Sequence, residues 1–180
     1  MNNIFRYGLS SRYEISALFD LANNIDEDKA FTNVQLGGRV RLNQKAHDWI
    51  PKLSFQTRIQ LRDSLGEENN NLKFVSILAG VFPLPQENSL TINLIANNIN
   101  KEEYDLTGYT LAWSKNLNSK IDVFVEQFSN RSVEVWNKYW DTGLGYLVHN
   151  DLKLDFSVGT DLENDLDSQF VSLGFSWRTL

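Results

Sequence analysis

Cysteine is absent from the 180 residues, so no disulfide framework, thiolate metal site or cysteine nucleophile is available. Histidine is scarce: the two present, His47 and His149, both fall in short polar turns. No Ser–His pair can then be placed on a strand wall, which argues against a barrel-embedded hydrolase and leaves no catalytic residue to nominate. No apolar run reaches 18 residues, which excludes a membrane-spanning helix. Strands of a membrane barrel need only about 9–11 residues of alternating character, and that option stays open. A basic surplus is also lacking. Lys and Arg number 17 against 23 Asp and Glu, for a net charge of −6, whereas a nucleic-acid partner needs a basic stripe to displace phosphate counterions. The three prolines, Pro51, Pro83 and Pro85, sit beside short turns, where a missing backbone donor does little harm to a ladder. Finally, Met1 is followed by Asn2-Asn3-Ile4-Phe5-Arg6, without the basic start and apolar core of a secretory leader.

What is present is alternation. Hydrophobic residues recur with period two and polar Asn, Asp, Gly and Ser clusters interrupt them, which predicts about eleven strands. These are Phe5 to Ser10, Tyr13 to Leu21, Val34 to Leu42, Lys52 to Arg62, Phe74 to Phe82, Leu90 to Asn97, Gly108 to Lys115, Ile121 to Gln127, Asp141 to Val148, Leu152 to Thr160 and Phe170 to Arg178. The connections alternate in length. Short ones (Ser10 to Arg12, Gln44 to Trp49, Pro85 to Ser89, Asn118 to Lys120, His149 to Asp151) separate longer polar ones (Asn23 to Thr32, Asp63 to Lys73, Asn98 to Asp105, Asn130 to Lys138, Leu162 to Gln169). Short turns at one rim and long loops at the other are what an outer-membrane barrel shows.

The strands split cleanly by face. In Val34 to Leu42, Val34, Leu36, Val40 and Leu42 oppose Gln35, Arg39 and Arg41; in Lys52 to Arg62, Leu53, Phe55, Ile59 and Leu61 oppose Gln56, Arg58 and Arg62. An arginine facing lipid costs about 2–4 kcal/mol at the midplane, so in a membrane the apolar face points outward. A soluble barrel would point the same face inward, and periodicity alone does not separate the two. Loop asymmetry favours the membrane arrangement, as do aromatics at both strand ends: Trp136, Tyr139 and Trp140 near a long loop, and Tyr13, Trp49 and Trp177 near short turns.

The fold expected is therefore all-β, an antiparallel up-and-down transmembrane β-barrel forming one domain over residues 1–180. Because single-chain bacterial barrels carry an even number of strands, the natural protein is expected to be twelve-stranded, with a signal peptide and a first strand ahead of this sequence. On the polar phase, Glu126, Asp141 and Asp155 with Arg178 predict one charged cluster in the lumen, and Glu14 and Asp20 against Arg39, Arg41, Arg58 and Arg62 predict a second. Such clusters act as selectivity elements in pores, or pair across strands to neutralise enclosed charge. The acidic runs Asp26-Glu27-Asp28 and Asp161 to Asp167 match no defined calcium loop, so no metal and no cofactor are expected.

Four ordered segments near the carboxy terminus carry a family likeness: Phe124-Val125-Glu126, Gly143-Leu144-Gly145-Tyr146-Leu147, Leu152-Lys153-Leu154-Asp155-Phe156-Ser157-Val158-Gly159, and Gly174-Phe175-Ser176-Trp177-Arg178. With Phe5-Arg6-Tyr7-Gly8-Leu9, Tyr13-Glu14-Ile15 and Trp49 to Phe55, the chain resembles the outer-membrane transporter-like family named for the MetA pathway of phenol degradation. The resemblance implies an outer-membrane barrel with a transport role. Three functions follow as expectations: a passive channel for small-molecule solutes embedded in outer-membrane lipid, a plugged envelope scaffold or loop-mediated binding barrel, or a soluble lipocalin-like binder with its apolar face inside.

Overall fold

The computed structural model describes residues 2–21, 31–43, 50–62, 68–98, 105–132, 135–162 and 169–177. Among these the chain is all-β. Eleven strands succeed one another: β1 (Asn2–Gly8), β2 (Tyr13–Leu21), β3 (Phe31–Arg41), β4 (Lys52–Arg62), β5 (Glu68–Leu84), β6 (Asn88–Asn98), β7 (Asp105–Asn116), β8 (Ile121–Ser132), β9 (Val135–His149), β10 (Leu152–Asp161) and β11 (Gln169–Trp177). They lie in one sheet in strict sequence order, and the registers of β1 to β4 and of β7 to β11 are antiparallel at every step. Among the described residues no helix is long and apolar enough to cross a membrane, which leaves crossing by strands untouched.

Two compact units divide the chain. The first comprises Met1–Lys45, Lys52–Ala79 and Leu94–Leu106; the second comprises Ala46–Pro51, Gly80–Asn93 and Thr107–Leu180. In the first, β1 to β4 pair in near-continuous register, with one slip between Leu18 and Asp20. That slip lies opposite Asn33, whose φ of 49° is left-handed. Asn is among the residues that tolerate this conformation, and one extra residue there makes a β-bulge. In the second unit, a hairpin joins β7 to β8 through Asn118, whose side-chain oxygen accepts from Lys120 N at 2.8 Å and Ile121 N at 2.9 Å, a side-chain mimic of a backbone turn. The β5–β6 connection is tighter. Asn88 N donates to Pro85 O at 3.4 Å, and the central residues Gln86 and Glu87 have φ of 59° and 61°, the signature of a type I′ hairpin turn built without its preferred Asn-Gly pair.

Two loop expectations are corrected. The segment Asn130 to Lys138 is not a long loop: Asn130 pairs with Asn137, Arg131 with Trp136 and Ser132 with Val135, extending the β8–β9 ladder by three more rungs. Likewise β5 begins at Glu68, so the ladder takes up residues 68–73 that read as loop. Asn-rich stretches with polar residues on both faces lose the period-two signal although their backbone still pairs. The expected turn at Gln44 to Trp49 lies outside the described residues.

Burial is inverted relative to a soluble protein. Leu18 is the sole buried hydrophobic among the described residues, while Ser16, Gln35, Gln56, Ser129 and Ser157 are buried polar groups. In β10 the exposed positions are Leu154, Phe156 and Val158, and the buried one between them is Ser157. β4 repeats this, with Phe55 and Leu61 exposed and Gln56 buried. A soluble barrel needs the reverse assignment. Aromatics follow the same phases, with one correction. Trp136 and Trp140 lie on the apolar phase of β9, Trp136 against Tyr109 at 6.0 Å, but Tyr139 lies on the polar phase, stacked on Phe128 at 5.0 Å. Tyr139 is therefore not part of an outer aromatic band.

Candidate functional site

The polar phase of the first unit is built around arginine. Glu14 on β2 pairs with Arg39 on β3, and its carboxylate accepts from Arg39 Nη2 at 2.6 Å while standing 3.8 Å from Arg6 Nε. One step along the same face, Arg58 on β4 stands opposite Gly37 on β3, which in turn pairs with Ser16. Gly37 is required there. A Cβ at this position would collide with the Thr57 carbonyl and come within 2.7 Å of Arg58 Cγ, so only glycine lets the arginine stem lie flat across the ladder. The guanidinium is then held by amides. Gln56, with its side-chain oxygen turned toward it, accepts from Nε at 2.7 Å and Nη2 at 3.2 Å, and Gln35 Oε1 accepts from Nη1 at 3.4 Å. Gln35 is oriented in turn by donating to Asn33 Oδ1 at 2.7 Å, which also accepts from Gln60 at 3.1 Å. The bulge at Asn33 thus anchors Gln35, one of the two amides that position Arg58.

The polar phase of the second unit is built around carboxylates and rings. Glu126 on β8 is directly opposite Asp141 on β9, a like-charge pair, with Asp141 Oδ1 buried and unpartnered. Rings flank the pair. Phe128 stacks on Tyr139 and meets Phe170 edge-on at 6.3 Å, and the Phe124 ring occupies the notch over Gly143, 2.7 Å from where a Cβ would stand. Near the short-turn end, Lys153 reaches across Gly145 to Asp122 at 2.8 Å.

The structure brings some of the predicted charges together and separates others. Glu14 and Arg39 meet, as do Glu126 and Asp141. Arg41 is apart: it is exposed and donates to Ser11 O at 3.0 Å beside the first turn. Asp155 is apart too. It pairs with Gly145 and Gly174, four residues along β10 from Gly159, which faces Asp141, a separation of about 13 Å at strand rise. Its carboxylate fills the notch over Gly174. Arg178 and the side chains of Arg62 and Asp20 lie outside the described residues, as does His47. His149 is exposed, its Nδ1 3.9 Å from Asp151. Among the described residues no three His, Cys, Asp or Glu side chains converge as metal ligands.

Sequence reasoning missed Arg6 and the Asp122–Lys153 pair. Arg6 lies on a short strand whose predicted bounds were displaced toward the turn. Asp122 and Lys153 are 31 residues apart on non-adjacent strands, and the signal available was Gly145 lying between them on the same phase.

Residues 2–179 match the profile of the family described as "Putative MetA-pathway of phenol degradation". The chain belongs to this family. The match spans both units, so the arginine-lined and carboxylate-lined faces are both features of a family member. Among curated proteins none matches the chain.

Proposed function

We propose that this family member is a bacterial outer-membrane β-barrel that passes small molecules passively through a polar lumen, without catalysis. The observation that carries the reading is the inverted burial: Leu36, Phe55, Leu144, Leu154 and Phe156 are exposed while Gln35, Gln56 and Ser157 are buried. Apolar side chains in contiguous exposed rows match lipid rather than water. The polar phase then lines the interior, where its paired and unpaired charges contact solutes as charged rings do in pores. The strand order, each strand hydrogen-bonded to its sequence neighbour, satisfies on both edges the backbone groups of β2 to β10 that a bilayer leaves without water.

The test is flux through the detergent-refolded full chain in liposomes, read by swelling in small neutral and charged solutes. Solute-dependent swelling above protein-free vesicles supports a channel. Heat-shifted gel mobility in lipid without any swelling supports instead a plugged scaffold whose function lies in its loops. A monomer in detergent-free buffer that neither shifts nor inserts refutes both and returns the soluble binder.

A further inference from the structure

We infer that the polar face of the first unit carries a small-molecule oxyanion subsite centred on Arg58, with a carboxylate or phosphate as the group recognised. This deepens the channel reading and rests on it for the route by which the anion arrives.

The argument begins with charge balance on one face. Arg6, Arg39 and Arg58 share the phase with Glu14, whose carboxylate is engaged by Arg39 at 2.6 Å and Arg6 at 3.8 Å. Among the described residues no carboxylate lies within ion-pair distance of Arg58, and Arg6, of like charge, lies in the same row of the sheet, through Ser16 and Gly37. A half-buried guanidinium without a counter-ion is costly, yet the fold holds it in place: Gly37 makes the notch for its stem, and two glutamines orient its head.

Donor geometry names the ligand. A guanidinium offers five N–H groups in a planar fork. Gln56 takes one each from Nε and Nη2, and Gln35 takes one from Nη1, which leaves one N–H on each terminal nitrogen. That remaining pair can grip two oxygens of a carboxylate or phosphate with parallel charge-assisted bonds. Lysine could supply the charge but not the fork. The surplus of positive charge on this face favours an anion over a neutral ligand of the same shape.

Isothermal titration of the detergent-folded full chain tests this, with succinate and inorganic phosphate as probes and 1,4-butanediol as the uncharged control. Both anions bind, butanediol does not, and the stronger of the two identifies whether carboxylate or phosphate is preferred. Arg58→Gln weakens anion binding about tenfold or more, the size expected for losing a charged bidentate contact, and Arg58→Lys recovers only part of it. Unchanged heat-shifted mobility of each variant shows that the fold is retained; if Arg58→Gln does not fold, Arg58→Lys and competition by chloride give the same reading. Equal binding of succinate by wild type and a folded Arg58→Gln, or equal binding of butanediol, overturns the proposal. Anion binding without liposome flux retains the subsite and refutes the channel; flux without anion binding does the opposite.

Discussion

The two units use the same backbone pattern to display opposite chemistries. On the first, Arg6 and Arg39 engage Glu14 on the polar phase, and amides hold Arg58, which lacks a counter-ion among the described residues. On the second, Glu126 faces Asp141 directly, rings flank them, and the Asp122–Lys153 ion pair lies near the turn. Both units solve a shared steric problem with glycine, Gly37 beneath Arg58 and Gly143 beneath Phe124. The apolar phase repeats in both units, whereas the chemistry of the polar phase differs between them.

If the outward phase is shared, the largest effect comes from charging it in either unit. Leu36→Arg in the first and Phe156→Arg in the second each lower folding free energy in lipid vesicles by about 2–4 kcal/mol at mid-strand, measured by urea titration; a cost in one unit alone would break the equivalence. Next come the notches. Gly37→Val and Gly143→Val each destabilise by about 1–3 kcal/mol through overpacking, since Cβ atoms would strike the Thr57 and Phe156 carbonyls. The same titration shows this, and neutral behaviour at either site would mean the ladder is looser there than the registers indicate.

Neutralising one carboxylate in each unit should then have effects of opposite sign. Glu14→Gln removes the partner of Arg39 and destabilises by about 1 kcal/mol, discounted for the partial exposure of the pair. Asp141→Asn relieves its repulsion with Glu126 and stabilises by about 0.2–1 kcal/mol. Equal signs would show that the two faces are not electrostatically distinct. The smallest effect lies in the β5–β6 turn, where Glu87→Gly relieves a left-handed backbone at φ 61° and stabilises by about 0.4–1 kcal/mol, seen as a higher urea midpoint.

Some of this was legible in the residues alone. β2 and β4 coincide with the predicted Tyr13 to Leu21 and Lys52 to Arg62, because each alternates between phases, with Leu18 the apolar exception on the polar phase of β2. β8 and β9 run past their predicted limits, since Asn130, Arg131, Asn137 and Lys138 put polar groups on both faces and erase the period while leaving the ladder intact. Phase membership of Glu126, Asp141, Arg39 and Arg58 followed from alternation, but adjacency did not. It depends on register, and register is set by turn geometry and by the bulge at Asn33, neither of which has a strong signal in composition. Asp155 shows the consequence: it has the right phase and the neighbouring strand, yet stands far along it from Asp141.

The central claim is that exposed apolar side chains meet lipid and buried polar ones meet water, and adjacent residues on β10 test it most directly. Because the chain has no cysteine, Phe156→Cys and Ser157→Cys each accept a single spin label. In vesicles, the account predicts that the label at 156 collides mainly with lipid-soluble oxygen and the label at 157 mainly with a water-soluble nickel chelate; the reverse pattern, or equal access to the chelate at both, would contradict it.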